Sequence, residues 1–308
     1  MASNPTVSDP ISIAKPPGAG HLERLRTVLG AWQPFTGGGI AAFSRASLTR
    51  TLTFQVLFAL GLSCVIVWSV RLAWFPPFVA ALGNLPGSDA GIRQGRLDWP
   101  EPTAVTLADN RQIALIIDPA GTGELGRAAD LQIELRRDGL SLHGPFGHQT
   151  FPYPPDLELR LDRLGGTAAW GAWNWVGLAL IGIATFSSSM VLWWMMAVAT
   201  ALPSWLLAVV VRRALTFGGA CLMMAAAWLP ASLVLAGGAA LYATSWIRLP
   251  GLMLAVVAHA VVAVLWHVWG FLNLPARGAA KTMDDPFGSS GPAEAAPGRL
   301  KKKKNPFG

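Results

Sequence analysis

Four long stretches without any Asp, Glu, Lys or Arg are the feature that most limits what this chain can fold into. They cover residues 51–70, 170–211, 214–247 and 249–276. Because a bilayer core takes about 20 apolar residues per helix, each stretch is long enough to cross it. Only 13% of the residues are charged, against roughly 25% in soluble domains. The sequence therefore predicts a mainly α-helical integral membrane protein.

The second stretch is about twice as long as one membrane span. We expect it to fold as two short helices that meet near Ser187, Ser188 and Ser189, which makes about five membrane helices. The charges disagree with this number. Arg45 and Arg50 favour an N-terminus inside the cell, and the basic C-terminal tail also favours the inside, which requires an even number of crossings. The sequence leaves open the side of the C-terminus and whether residues 170–211 cross once or twice.

The ends of the chain differ from its apolar centre. Residues 1–50 are rich in Pro, Gly and Arg and are expected to be disordered, apart from residues 21–32, which form either an amphipathic helix at the membrane surface or a poorly ordered linker. The first apolar run follows this long segment, so it is expected to stay as an anchor and not to be cleaved as a signal peptide. Residues 276–308 are expected to form a disordered basic tail. Its four consecutive lysines are expected to contact anionic lipid or to set topology, and the alternatives are a contact with RNA or no role.

The first membrane helix and an interfacial segment are expected over residues 51–85. Arg71, Trp74 and Phe75 form the basic and aromatic rim that is typical of a membrane interface. Two consecutive prolines, Pro76 and Pro77, follow this rim. Since proline removes a helical hydrogen bond, we expect the helix to stop or kink there.

A different composition begins after this segment, over residues 91–165. Between residues 91 and 163 there are eight arginines, no lysine and eleven acidic residues, a net charge of −3 in a chain of net charge +7. Alternating aliphatic residues predict strands near 112–117, 131–136 and 140–143, with a hairpin signal at Asp138–Gly139. We expect a small antiparallel β-rich domain outside the membrane, which leans on the helices or on a partner because it is too small to be stable alone. A membrane helical bundle then follows over 168–275.

Four residues of the bundle are candidates for a functional site. Pro230 lies inside the apolar run "AAAWLPASL", where it should kink the helix and free a carbonyl near Ala226; such breaks occur at helix contacts or cavities, although packing alone also explains prolines in membrane helices. A histidine such as His259 is costly in a membrane helix, which suggests a role. Arg212 and Arg213 mark a cytoplasmic loop by the positive-inside rule, and the alternative is an anion site between helices.

Other polar residues are expected to be structural. His267 lies near a helix end, where an interfacial hydrogen bond is sufficient, and it is too far around and along the helix from His259 to share a metal with it. His143 and His148 lack a third ligand, so neither a metal nor another cofactor is expected. Acidic residues in turns usually lie on the surface. This is the position expected for Asp109, Asp118 and Asp130. Cys64 and Cys221 lie in apolar helices and should act as small hydrophobic side chains.

The order of the segments resembles a bacterial membrane family. An N-terminal span precedes a β-rich insert that reads "GIRQGRLDWPEPTAV" and "IALIIDPAGTGEL", and an apolar bundle with "RRALTFGGACLMMAAAWLPASLV" follows. This arrangement is similar to domain of unknown function 1189, in which some members are labelled maltodextrin utilisation proteins. The match spans roughly residues 45 to 273. The chain has Pro119 where the family usually has Thr, and Phe217 where it favours Tyr. The resemblance implies no known reaction.

The function expected from these observations is non-catalytic. The helices contain no paired acids and no Ser-Lys or Ser-His frame, and the bundle has few ionisable residues with which to move an ion or activate water. We expect an accessory or partner-binding component of transport or envelope assembly in the bacterial inner membrane, with its β domain on the extracytoplasmic side. The expected contacts are the lipid bilayer and a membrane or extracytoplasmic protein, and no nucleic acid. The alternative is a small transporter or channel that uses His259 and Pro230.

Overall fold

The computed structural model describes residues 33–87, 90–123 and 129–277. The predicted surface helix over 21–32 and the lysine-rich part of the tail lie outside the described residues. The helices are α1 (Gly37–Phe43), α2 (Leu48–Ala73), α3 (Phe75–Gly83), α4 (Arg163–Val210), α5 (Phe217–Ala243) and α6 (Leu249–Leu272). The expected break after the first span is present, since α2 ends at Ala73 and both prolines lie in the first turn of α3.

Four helices of the described chain are long and apolar enough to cross a membrane, and not five. They are Leu48–Gly83, Arg163–Val210, Phe217–Ala243 and Leu249–Leu272, where the first comprises α2 and α3. The predicted break at Ser187–Ser189 is wrong, because α4 runs unbroken through these serines for 48 residues. The Ser188 hydroxyl donates to the Thr185 carbonyl of the same helix at 3.2 Å, which satisfies a polar side chain inside a helix.

The great length of α4 is supported by α2 and α3, which run antiparallel beside it. At 1.5 Å per residue, α4 is about 72 Å long, more than twice the thickness of a bilayer core. Contacts occur at several levels: Val67 with Gly182, Arg71 over the Trp175 ring, and Phe75 with Trp170. Helix α4 therefore packs against α2 and α3 over a long part of its length.

The centre of the bundle is α5, and small residues explain why. In its most apolar window 72% of the residues are buried, against 28% or less in the other three candidate spans. Ala225, Ala226 and Ala227 are fully buried, and a Cβ atom at Gly238 would lie 2.3 Å from the Cβ of Ala255 in α6. Because side chains this small let helices approach closely, α2, α4 and α6 all pack directly on α5.

The expectation of disorder or amphipathic structure up to residue 50 is wrong for residues 33–50. The short helix α1 is apolar and packs under the bundle, where Ile40 and Phe43 are fully buried beside Leu274. Thr36 caps α1 by accepting a hydrogen bond from the Gly39 amide at 3.0 Å. Glycines on both sides allow this close packing, because a Cβ atom at Gly37 of α1 would lie 2.4 Å from the Asn273 side chain and one at Gly270 of α6 would lie 2.3 Å from Ile40.

The strands of the domain between α3 and α4 form two sheets. The strands are β1 (Gly91–Arg93), β2 (Arg96–Asp98), β3 (Val105–Asp109), β4 (Ile113–Asp118), β5 (Leu131–Arg136), β6 (Gly139–Gly144), β7 (Gly147–Pro152) and β8 (Leu159–Arg160). The sheet orders are β2-β1-β8 and β3-β4-β5-β6-β7. The predicted strands near 112–117, 131–136 and 140–143 are confirmed within one residue.

The five-stranded sheet is mixed, so the expected antiparallel arrangement is wrong at one pair. Strands β4 and β5 are parallel, with Ile113 beside Leu131. The connection between them is twelve residues long, which is enough for a crossover to the same end of the sheet. One face of this sheet packs on α3, and Ile113, Leu115 and Ile117 lie in a core shared with Ala81. The domain leans on the helices, as its small size predicts.

Candidate functional site

The turn between β3 and β4 holds the β domain on the ends of two long apolar helices of the bundle. The Asn110 side chain donates to the Ala73 carbonyl at the end of α2 at 2.6 Å, and its oxygen accepts from the amides of Gln112 and Ile113. Gln112 in turn donates to the Tyr242 carbonyl at 3.1 Å and to the Ser245 hydroxyl at 2.7 Å. This turn therefore connects α2, the β domain and the end of α5.

Two of the three acids expected on the surface are buried. Asp130 is 7% exposed and accepts a hydrogen bond from the Leu249 amide at the start of α6, at 3.1 Å. Asp118 is 1% exposed, and only Asp109 of the three is exposed. The expectation failed for Asp130 because the start of β5 and the start of α6 meet only in the folded chain. Asp130 thus forms a second contact that holds the domain on the bundle.

Asp118 organises the beginning of the crossover after β4. One of its oxygens accepts from the Gly123 amide at 2.8 Å and from the Thr122 hydroxyl at 3.3 Å. Burial raises the pKa of this carboxyl, but the hydrogen bonds from Gly123, Thr122 and Gly121 outweigh it and bring the pKa below its usual value. The ionised carboxylate is therefore the form that stabilises the crossover.

We expect Asp118→Asn to destabilise the protein at pH 7 by about 2 kcal/mol, because an amide is a weaker acceptor for these bonds. A lowered folded-state pKa gives stability that is present above the unfolded-state pKa and lost as the pH falls through the folded-state value. The difference between wild type and variant should therefore shrink below about pH 4. Thermal unfolding in detergent at pH 7 and at acidic pH measures it, with the exposed Asp109→Asn as control. An equal difference at both pH values would contradict this role.

Inside the bundle, His259 contacts the turn of α5 that contains Pro230. The ring centroids of His259 and Trp228 are 4.8 Å apart, and the imidazole also interacts with the backbone of Ala231. Trp228 and Ala231 flank Pro230, and His259 is 6% exposed. Among the described residues, the Nδ1 atom of His259 and the Nε1 atom of Trp228 are buried without a hydrogen-bond partner. Two of the four candidate residues thus share one polar spot, and α5 stays helical through Pro230.

A matching arrangement, which the sequence analysis missed, lies nearer the other end of α6. His267 is buried inside the bundle. Its Nε2 atom lies 2.7 Å from the Ser204 hydroxyl, so the expectation that the helices contain no Ser-His pair is wrong. Among the described residues, no group accepts or donates a hydrogen bond at the His267 Nδ1 atom, so no third residue orients this imidazole for catalysis. Ser204 follows Pro203, a second proline inside a helix. Helix α6 therefore places one imidazole against each proline-containing turn, in α4 and in α5. A serine directly after a proline within an apolar run is the signal that could have found it.

Gln55 is a further buried polar residue, which is not among the predicted candidates. It is fully buried in α2, and its side-chain amide donates to the Ala225 carbonyl of α5 at 3.2 Å. Pro230 frees the neighbouring carbonyl of Ala226, since residue 230 has no amide hydrogen. The Gln55 amide therefore contacts the Ala225 carbonyl, which is adjacent to the Ala226 carbonyl that Pro230 leaves free. Gln55 is the one amide side chain in the first apolar run, which is the signal that could have found it.

Arg212 and Arg213 lie far from Pro230 and His259. They lie in the loop before α5, and Phe217 and Pro230 are about 20 Å apart along that helix. The Arg213 guanidinium donates to the Leu274 carbonyl, and the Arg212 carbonyl accepts from the Arg277 amide at 2.9 Å. These contacts hold the end of α6 beside the loop. Arg213 therefore has a structural contact within the described chain.

The polar face of the five-stranded sheet contains a charged group around Glu134. This buried carboxylate lies 2.7 Å from the Arg136 Nε atom and 3.1 Å from the His143 Nε2 atom, and the hydrogen bond to it raises the pKa of the Arg136 guanidinium. The rings of His143 and His148 stack at 5.7 Å and line a cavity of about 350 Å³ beside Leu249. Among the described residues, no group of three His, Cys, Asp or Glu side chains could hold a metal ion.

The geometry therefore offers three features: a firmly docked β domain, two imidazole–proline contacts in the bundle, and a polar sheet face. Comparison of the chain with known protein families, with curated proteins and with solved structures finds no match.

Proposed function

We propose that this chain is an integral membrane protein that holds its β domain in a fixed position at the bilayer surface for a partner protein, without catalysis. The observation that carries the proposal is the docking of the domain on the bundle. Asn110, Gln112 and Asp130 connect the domain to the ends of α2, α5 and α6. A domain held at three helix ends keeps a fixed orientation relative to the membrane. An accessory protein needs this fixed orientation, whereas a sensor domain that moves freely does not.

The outer surface of the bundle supports membrane insertion. Large apolar side chains are exposed along α4 and α6, and an apolar groove of about 750 Å³ lies between α2 and α4. Lipid is the environment in which such surfaces are stable. Trp173, Trp175 and Trp246 are more than 60% exposed at the end near the β domain, where an aromatic belt is expected.

The orientation that we propose follows from four crossings. An even number of crossings brings α1, the Arg212–Arg213 loop and residue 277 to one end of the bundle, and Arg213 contacts Leu274 there. Since Arg45 and Arg50 lie near the same end, the positive-inside rule makes it cytoplasmic. The β domain is then extracytoplasmic, in the inner membrane of a bacterium. Membership of the family that the sequence resembles is part of the same proposal.

A second candidate function is a small transporter or channel. The observation that favours it is the buried His259 beside Trp228 and the Pro230 turn, because ionisable groups inside membrane bundles often mark transport pathways. An unpartnered ring nitrogen in this position is available to a proton or a polar solute.

Reconstitution separates the two functions. The purified protein is incorporated into liposomes for ion and solute flux, and in parallel it is isolated from native membranes to identify proteins present in equal amount. A stoichiometric partner without flux supports the accessory role. Flux that His259→Ala abolishes, while the variant remains folded, supports the transporter and overturns the accessory role.

Pro230→Ala tests whether the proline turn shapes a site. The variant recovers one backbone hydrogen bond, so we expect stability in detergent to be equal or about 1 kcal/mol higher. We expect partner capture or flux to be lost, because a straightened α5 displaces Leu233 and the residues after it. Pro203→Ala in α4 is the matched control for loss of an interior proline. A Pro230→Ala protein that inserts, folds and retains wild-type function would show that the proline is a tolerated kink.

A further inference from the structure

The two edges of the five-stranded sheet differ in protection. The β3 edge carries a bulge between Thr106 and Ala108, and the Asn84 side chain of the α3 C-terminus donates to the Leu107 carbonyl at 2.7 Å. At the opposite edge, all six residues of β7 are exposed. Natural sheets usually block an edge with a bulge, a charge, a proline or a covering element. Edge β3 has two of these devices, whereas β7 has a proline only at its last residue, Pro152.

The backbone groups that β7 presents outward can be assigned from its register with β6. Gly144 pairs with Gly147 across the two-residue turn, and the pairing continues without a bulge to Gly139 and Pro152. In such a hairpin every second residue exchanges hydrogen bonds with its partner strand, starting at the turn. Residues 147, 149 and 151 therefore point their backbone groups towards β6. The amides and carbonyls of His148 and Thr150, and the carbonyl of Pro152, point outward.

Two further observations agree with this assignment. The Tyr153 amide, next in the inward series, donates to the Asp138 carbonyl at 3.2 Å. Pro152, which has no amide hydrogen, occupies an outward position where the ladder does not need one. Among the described residues, a 3.5 Å contact from the Gln149 side chain to the Thr150 carbonyl is the one hydrogen bond recorded for the outward groups.

The side chains along β7 provide little protection. Residues 144–153 read "GPFGHQTFPY" and contain no Asp, Glu, Lys or Arg. Phe146 is 82% exposed and Phe151 is 48% exposed. A flat, uncharged and exposed edge strand is a template for another strand.

The two faces beside the edge define what a sixth strand would contain. Gln149 and Phe151 continue the face of Leu142 and Leu140, so alternate residues of an added strand would meet apolar side chains. The residues between them would lie beside His148 and Thr150, whose partners on β6 are His143 and Ser141. The domain has a net charge of −3 over residues 91–163. These features favour a strand that alternates apolar with basic or hydroxyl side chains.

We infer that β7 is the docking edge for an extended segment of a partner protein, which adds as a sixth strand with alternating apolar and basic or hydroxyl residues. Its backbone pairs with the outward groups of His148 and Thr150, as in other β-augmentation complexes. The inference rests on the proposed function, since it names the surface and the kind of segment through which the domain holds its partner.

The test uses the full-length protein in lipid nanodiscs and a labelled synthetic peptide, Val-Lys-Val-Thr-Val-Lys-Val with blocked ends. Fluorescence anisotropy should show saturable binding to the wild type. Thr150→Pro removes an outward amide that the β6 ladder does not use, and should weaken binding about tenfold or more. Thr150→Val is the matched control, because it also loses the 2.8 Å contact with the Ser141 hydroxyl but keeps the amide, and it should bind like the wild type.

A second measurement does not depend on how the variant folds. A peptide with N-methyl groups along one edge cannot pair on that edge, and methylation of the pairing edge should abolish binding to the wild type. Binding that survives methylation of the pairing edge, or that Thr150→Pro leaves unchanged, overturns the inference, whereas methylation of the opposite edge should leave binding intact. A dimer that Thr150→Pro converts to monomers, without peptide binding, assigns the edge to a second copy and also overturns it. If a native partner still co-purifies with Thr150→Pro, the docking edge is wrong while the proposed function stands.

Discussion

Replacing Gly238 by valine is expected to force α5 and α6 apart and to lower the unfolding temperature of the detergent-solubilised protein by roughly 6–12 °C. A Cβ atom at this position would lie 2.3 Å from the Cβ of Ala255. Neither atom belongs to a flexible side chain, so the helices must shift. Overpacking of this kind costs about 3 kcal/mol, and the affected contact belongs to the most buried helix of the bundle.

The neighbouring Gly237 provides a matched control. A Cβ atom there meets nothing within 4 Å, so Gly237→Val makes the same chemical change in the same helix without a clash. Thermal unfolding of both variants, followed by intrinsic tryptophan fluorescence, measures the difference. Equal unfolding temperatures for the two variants would show that α5 and α6 are not in close contact at Gly238.

Replacing Asn110 by alanine is expected to release the β3–β4 turn from the bundle. The substitution removes the bond to the Ala73 carbonyl at 2.6 Å and the acceptor for the Gln112 and Ile113 amides. Three hydrogen bonds at about 1 kcal/mol each amount to about 3 kcal/mol. Amide hydrogen exchange in β3 and β4 should therefore become about 100-fold faster, since local opening there becomes easier by that free energy.

Asp109→Ala is the control for this prediction, because Asp109 is the preceding residue and its side chain is exposed. Exchange measured by mass spectrometry on the intact protein in detergent compares the two variants. The helices below the turn should keep their protection in both. Unchanged exchange in β3 and β4 of Asn110→Ala would show that the apolar core with α3 alone holds the domain, and would remove the main support for the proposed function.

The candidate site was predictable in part. Pro230 and His259 attract notice because a proline and a histidine are conspicuous in apolar runs, and the fold brings them together through Trp228. Arg212 and Arg213 are as conspicuous, but they contact the end of α6. Asn110, Gln112 and Asp130 were missed as docking residues because their partners are backbone groups distant in sequence. No local pattern indicates which carbonyl a side chain will meet.

The sequence alone determined where apolar helices and strands form, because hydrophobicity and alternation act over neighbouring residues. The apolar runs, the proline break after Ala73 and the strands around Ile113, Leu131 and Leu140 follow from it. Only the tertiary structure decided that α4 is one helix and not two, since α2 and α3 accompany it along its length. It also decided that α1 forms a buried helix and that Asp118 and Asp130 are buried. These outcomes depend on contacts between residues far apart in the chain, whose free energy appears only when the elements pack.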